Sequence, residues 1–327
     1  LAAQGQDVMI DMESFRLGSR FANKIWNAAR YLLLNLEGRE LVQIDRSKLS
    51  IMDRWIYSRL NTAAKTIHDA MENYRFNEAA QAIYSFFWND YCDWYIEASK
   101  PRLLSGSDEE KNLAVSVLMD ILEKAMRLMH PFLSFITEEI YQKLPNHDGD
   151  VITASYPEYS EEAEDRTADD LVGLMQEASR GVRAARANLQ IAPEKKLKVV
   201  IRMEDSPAAA FFRQESDLMK SFMTASSVTI DTDGSEDVKG AFPATAIGFE
   251  AFVFVRDAID IEAEIKRLEN EIQKNTALLE ASEKKLSNEN FISHAKPEAI
   301  EKEKGKKAEF EEKIGKAKEH IKLLESF

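Results

Sequence analysis

Between Phe15 and Leu36 apolar residues return every three or four positions, at Phe15, Ala22, Ile25, Trp26, Ala29, Leu33 and Leu36. That period predicts one amphipathic helix over residues 14–36. A second helix is expected from 51 to about 74, with Trp55, Leu60, Ala63, Ile67 and Met71 on its buried side. Ser50 opens it, and Asp53 three residues on completes a capping box. Ala80, Ile83, Phe87, Tyr91 and Trp94 mark a third helix over about 77–99. Pro101 should end it, because proline disfavours a helical residue before it. A fourth helix spans about 109–129, and His130-Pro131 starts another, with the proline in the tolerated first turn.

The pattern then changes. The polar, acid-rich stretch 146–165 reads as a linker. A helix over about 167–188 buries Leu171, Leu174, Met175, Ala178, Val182 and Ala185, and carries Arg180, Arg183 and Arg186 as a basic row. A β-branched run predicts a strand at 197–202, followed by a helix over 208–224 and a strand at 227–231. A hairpin of 245–247 with 249–255 turns near Gly248. Finally, apolar residues fall at 4-3 spacing at Ile261, Ile265, Leu268, Ile272, Leu279 and Leu286. A second such run uses Ile300, Phe310, Ile314, Ala317, Ile321 and Leu324. The segment Asn288–Pro297 separates them, so the pair should fold back as an antiparallel coiled coil with helices of about 45 Å each. Asn275, Glu303 and Lys307 occupy core positions and make the seam imperfect. The fold class is mainly α: a helical bundle, a small α+β junction module and an antiparallel two-helix coiled coil.

Composition narrows the partners. The formal net charge of the 327 residues is −14, with 44% hydrophobic content. Residues 1–160 and 161–255 each carry −6 and residues 256–327 carry −2, so no region is a general polyanion binder. Against that background, residues 15–36 hold four basic side chains and no acidic one. Arg and Lys neutralise phosphates. Asn23, Lys24, Asn27 and Tyr31 add amides, a cation and a flat ring, the groups that bind unstacked RNA bases. A solvated helix face is the plain alternative. Cys92 is the single cysteine, so an internal disulfide is excluded. No apolar run approaches the ~20 residues of a membrane span.

The residues carry a resemblance. Phe21-Ala-Asn-Lys-Ile-Trp-Asn-Ala-Ala-Arg30 resembles the opening helix of the anticodon-binding domain of valyl-tRNA synthetases. Asp53-Arg-Trp-Ile56, Tyr74-Arg-Phe-Asn-Glu-Ala-Ala80, Asp90-Tyr-Cys-Asp-Trp-Tyr-Ile-Glu-Ala-Ser-Lys-Pro-Arg102, His130-Pro-Phe132, Ile136-Thr-Glu-Glu-Ile-Tyr141 and Val182–Pro193 are similar to the same family. The final hairpin, with Asn288-Glu-Asn-Phe291 before its turn and Pro297-Glu-Ala299 after it, looks like that family's C-terminal arm. The resemblance implies a connection from an absent catalytic core over 1–13, a helical anticodon-binding domain over 14–150, a linker over 151–166, a helix and junction module over 167–255, and a tRNA-binding arm over 256–327. It implies Arg20, Asn23, Lys24, Asn27, Tyr31, Trp94 and Lys100 as anticodon-binding residues. Lys284, Lys285, Lys304, Lys306 and Lys307 are implied at the tRNA elbow.

The implied partner is tRNA(Val), with no DNA and no membrane, for a cytoplasmic monomer. The parent would join valine to tRNA using ATP with magnesium. No cofactor, metal or catalytic residue is expected in this chain. His-Ile-Gly-His, Lys-Met-Ser-Lys-Ser, a phosphate-binding glycine loop and Cys-x-x-Cys pairs do not occur in it. His130 has no second ligand at metal spacing, and inward Glu-x-x-His pairs for a metal in a bundle are missing. The competing reading is a non-enzymatic helical scaffold with a protein-binding coiled coil.

Overall fold

The computed structural model describes residues 12–145, 147–192, 194–246, 248–255, 261–287 and 297–325. The chain divides into two units, residues 1–173 and 174–327.

In the first unit, α1 (Met12–Leu36) lies against α5 (Asp108–Met129) and α6 (Ser134–Tyr141). Its buried stripe is Ile25, Ala28, Ala29 and Leu32. The stripe expected from the sequence is therefore rotated: Phe15 and Trp26 are exposed, the latter by 41%. Ala28 and Leu32, not Trp26, complete the period of Ile25 and Ala29. The helix α2 (Ile51–Glu72) starts at the capping box of Ser50 and Asp53, with Asp53 N–H 3.2 Å from Ser50 Oγ. Ser107 and Glu110 cap α5 in the same way.

The third helix differs most from expectation. α3 (Phe76–Tyr84) runs into twelve residues of wide i→i+5 turns, Ser85–Ile96, and then α4 (Glu97–Ser105). Pro101 sits inside α4 and does not stop it. Contacts on both sides of the proline outweigh its local preference: Ala98, Ser99 and Leu103 are buried, and Arg102 grips Asp53. Arg102 holds both oxygens of that carboxylate, at 2.6 and 2.8 Å, while Tyr95 donates to it at 2.5 Å. These bonds hold the Asp53 carboxyl below the usual carboxylate range against the opposing push of its burial. His130 caps the C-terminal end of α5, and α6 begins only at Ser134, so Pro131 lies in the connection and not in a helix's first turn. Residues 151–165 are no free linker. They form a strap with two short 3₁₀ turns, tied by the Tyr156 hydroxyl to Leu128 O and by Asn61 to Ser160.

The helix α7 (Arg166–Asn188) carries the boundary between the units. In the second unit, β1 (Leu197–Arg202) pairs parallel with β2 (Ala225–Asp231) and antiparallel with β4 (Phe249–Phe254). β3 (Phe242–Ala246) pairs with β4, giving the order β2-β1-β4-β3. The hairpin turns at Gly248 with φ +89°, where a side chain would be strained. Between β1 and β2 the expected single helix is two, α8 (Pro207–Gln214) and α9 (Ser216–Met223), broken at Glu215. The row Arg183 and Arg186 captures backbone carbonyls of Phe222, Thr224 and Ala192, fastening α7 to the module. The paired helices α10 (Ile261–Leu286) and α11 (Pro297–Leu324) form the coiled coil, with Leu268, Ser282, Glu303, Ile314, Ala317 and Leu324 buried in its seam. The turn expected between them falls outside the described residues.

Candidate nucleic-acid interface

Burying Ile25, Ala29 and Leu32 leaves Lys24, Asn27 and Tyr31 on one flank of α1, at spacings of three and four. That flank faces the 84–100 segment. Lys24 Nζ is 2.7 Å from Asp93 Oδ1 and 5.0 Å from the centre of the Trp88 ring. Trp88 stacks on Tyr84 at 5.4 Å and 19°, and Phe21 packs on Tyr84 at 4.9 Å. One step along, Lys100 Nζ lies 5.9 Å from the Tyr31 ring and donates to both oxygens of Glu97 at 2.7 and 2.8 Å. Burial raises the Tyr31 phenol, the nearby Lys100 charge lowers it, and Glu97 raises it again. The face is thus two matching clusters, each a lysine laid over a ring and tied to a carboxylate.

Sequence spacing alone did not bring Trp88 and Asp93 to this face. Five residues apart, they diverge on an ordinary α-helix, but i→i+5 turns bring them onto one flank. The dense aromatic run at 84–95 is the only sequence signal for that distortion. The amides of Asn23 and Asn27 are exposed and make no hydrogen bond among the described residues. Arg20 is exposed and lies 3.5 Å from Glu13. Trp94, grouped with this face from the sequence, is 5% exposed. A ring so covered has no face on which a base could stack, and Trp94 belongs to the bundle's core.

The five lysines implied at the elbow lie at the end of α10 and in the first half of α11. Glu303 receives Lys285 at 3.5 Å and Lys306 at 3.1 Å, and Lys307 reaches Glu283 at 2.9 Å. Lys304 pairs with Glu301 at 2.8 Å, whereas Lys284 is exposed with no ion pair among the described residues. Elsewhere, a cleft of about 600 Å³ between α2, α5 and the strap mixes Arg46, Arg54 and Lys124 with Asp120, Glu162 and Asp165. His130 Nδ1 lies 2.9 Å from Thr137 Oγ1, and among the described residues no three metal-ligating side chains converge.

Residues 53–201 match the family model of the anticodon-binding domain of tRNA ligases, and residues 260–325 match that of the valyl tRNA synthetase tRNA binding arm. The chain is 43% identical to a valine–tRNA ligase of Treponema denticola, across 98% of its own length and 36% of the relative's. It is 39% identical to that of Treponema pallidum across 94% of its length and 35% of the relative's. For that of Thermotoga maritima the identity is 38%, with 100% of this chain and 36% of the relative covered. The chain thus spans little more than a third of the curated relatives it matches.

Proposed function

Because the chain belongs to the valyl-tRNA synthetase family, we propose that its helical bundle reads the anticodon of tRNA(Val) while the coiled coil holds the elbow of the same molecule. The observation that carries this reading is the flank of α1. Lys24, Asn27 and Tyr31 stay accessible beside the Trp88 and Lys100 clusters, on a helix free of carboxylates from Phe15 to Leu36. Splayed loop bases need such a mixture of rings to stack on and polar groups to pair with. Asn23 and Arg20 extend the flank towards the start of α1. At the arm, Lys284, Lys285, Lys304, Lys306 and Lys307 offer cations to the tRNA backbone, which fix position and carry no sequence information.

In this reading the parent enzyme activates valine with ATP and magnesium and transfers it to the tRNA. This chain has neither of the family's ATP-holding motifs, so it supplies recognition and no chemical step. It acts as a cytoplasmic monomer; no described helix is long and apolar enough to cross a membrane. The test is a titration of tRNA(Val) against the 327-residue chain at several salt concentrations. Binding should weaken as salt rises. Lys24→Ala combined with Asn27→Ala should weaken it about tenfold, the scale of one good base contact. No binding at low salt, or an unchanged affinity in the double variant, overturns the anticodon assignment. The first result would favour a protein-binding scaffold.

A further inference from the structure

A face that only gripped phosphate would exclude acids, and α1 does so from Phe15 to Leu36. The helix opposite it does not. Asp93 and Glu97, four residues apart, come up against Lys24 and Lys100. Stability does not account for the first pair, since exposed ion pairs contribute about 0–1 kcal/mol, and the Lys24 and Asp93 side chains are 32% and 44% exposed. Nor does phosphate binding, because Asp93 cancels the Lys24 charge where an anion would sit. The two acids also differ. Lys100 occupies both oxygens of Glu97, whereas Lys24 takes only Oδ1 of Asp93. Among the described residues, Asp93 Oδ2 accepts no hydrogen bond.

We propose that Asp93 is a specificity-determining residue of this face, accepting a hydrogen bond from the amino group of an unstacked RNA base and rejecting uracil. The inference rests on the anticodon reading and deepens it. Lys24 holds the carboxylate in place through Oδ1, leaving Oδ2 to face a base beside the half-buried rings of Trp88 and Tyr84. Adenine, cytosine and guanine each carry an exocyclic amino group that can donate to a carboxylate, as acidic side chains do with cytosine N4. Uracil has none. Its one ring N–H is flanked by two carbonyl oxygens, and these repel the carboxylate. A site built on a hydrogen bond to its ligand strongly rejects an analogue that cannot make it.

The experiment titrates tRNA(Val), and versions in which each anticodon nucleotide in turn is uridine, against the wild-type chain, Asp93→Asn and Lys24→Gln. Wild type should lose tenfold or more in affinity for at least one uridine version. Asp93→Asn should cut that penalty below threefold, because an amide can donate to a uracil carbonyl, and should also lower affinity for unaltered tRNA, because an amide oxygen accepts more weakly than a carboxylate. Lys24→Gln removes the charge yet keeps the acid and an N–H that can still donate to Oδ1, so it should weaken all the RNAs together and preserve the penalty. A full penalty in Asp93→Asn, or its loss in Lys24→Gln alone, overturns the assignment to Asp93. If wild type binds tRNA without any uridine penalty, the anticodon reading itself fails. Melting curves of both variants that match wild type confirm that the readout reports contacts and not folding.

Discussion

The bundle and the coiled coil each present lysines beside carboxylates, but the pairs are built differently. Lys24 meets Asp93 across 69 residues of sequence, over a stacked ring, on helices packed into a core. In the arm, Lys304 and Lys306 pair within one turn of their own helix, and Lys285 and Lys307 reach the neighbouring one, Lys307 also lying 3.8 Å from Glu311 on its own. Exposed local pairs such as Lys304–Glu301 contribute a few tenths of a kcal/mol each. The bundle holds its lysines against rings and carboxylates across packed helices; the arm holds its lysines against carboxylates of one helix or its neighbour. Geometry that carries sequence information needs the first kind, and a contact to backbone phosphate is served by the second.

The largest expected effect tests whether the bundle face depends on what lies under it. Asp53 is fully buried and held by Arg102, Tyr95 and Ser50. Arg102→Leu leaves that carboxylate without its cation, and breaking such a pair costs about 3–5 kcal/mol. The urea midpoint of the bundle should fall accordingly, with the arm's helicity unchanged. A loss under 1 kcal/mol would mean that the scaffold is no more fixed than the arm. The arm's counterpart is Leu268→Ala, deleting a side chain 2% exposed in the seam. It should cost about 2–3 kcal/mol, confined to the coiled coil in a hydrogen-exchange profile.

Acid tests the buried pair of the bundle directly. The folded-state value of Asp53 is lowered, so its contribution is fully present above the unfolded carboxylate value, about 3.9. It is lost as pH falls through the depressed folded value. Thermal melts between pH 5 and pH 2 should therefore show the bundle losing stability below about pH 4. Arg102→Leu should flatten that dependence, because its carboxylate no longer has a cation to favour ionisation. Equal slopes in both proteins would remove Asp53 from the account.

Much of this architecture was legible in the chain because it is local. The capping box at Ser50, the strand at 197–202 and the 4-3 seam follow from nearest neighbours in sequence. What the chain hid came from tertiary contacts. Pro101 is carried inside a helix because residues on either side are anchored elsewhere. The strap at 151–165 reads as a polar linker, yet its side chains and backbone bond to α2 and α5. The candidate face was half legible. Lys24, Asn27 and Tyr31 share a flank by α-helical period alone, but Trp88 and Asp93 join them only through turns that break that period. Trp94 reads both ways, as core by its apolar period and as part of the face by the resemblance, and its ring is buried.

The smallest effects lie in the arm. Lys284→Ala, which removes a cation with no ion pair among the described residues, should weaken tRNA binding only a few-fold and reduce its salt slope by about 0.9. No change in that slope would take the arm's lysines out of the contact. Glu303 poses the sharper question. It is a buried acid at a core position, receiving Ser282 at 3.0 Å together with Lys285 and Lys306. Its bonds with Lys306 and Ser282 keep its carboxyl below the usual range. A polar residue in a coiled-coil core fixes register at some cost in stability. Glu303→Leu should then leave the arm's melting midpoint unchanged or up to about 1 kcal/mol higher, with a broader transition as other registers become populated. A drop of 2 kcal/mol would show that this acid holds the arm together as Asp53 holds the bundle, and the contrast between the two regions would fail at that point.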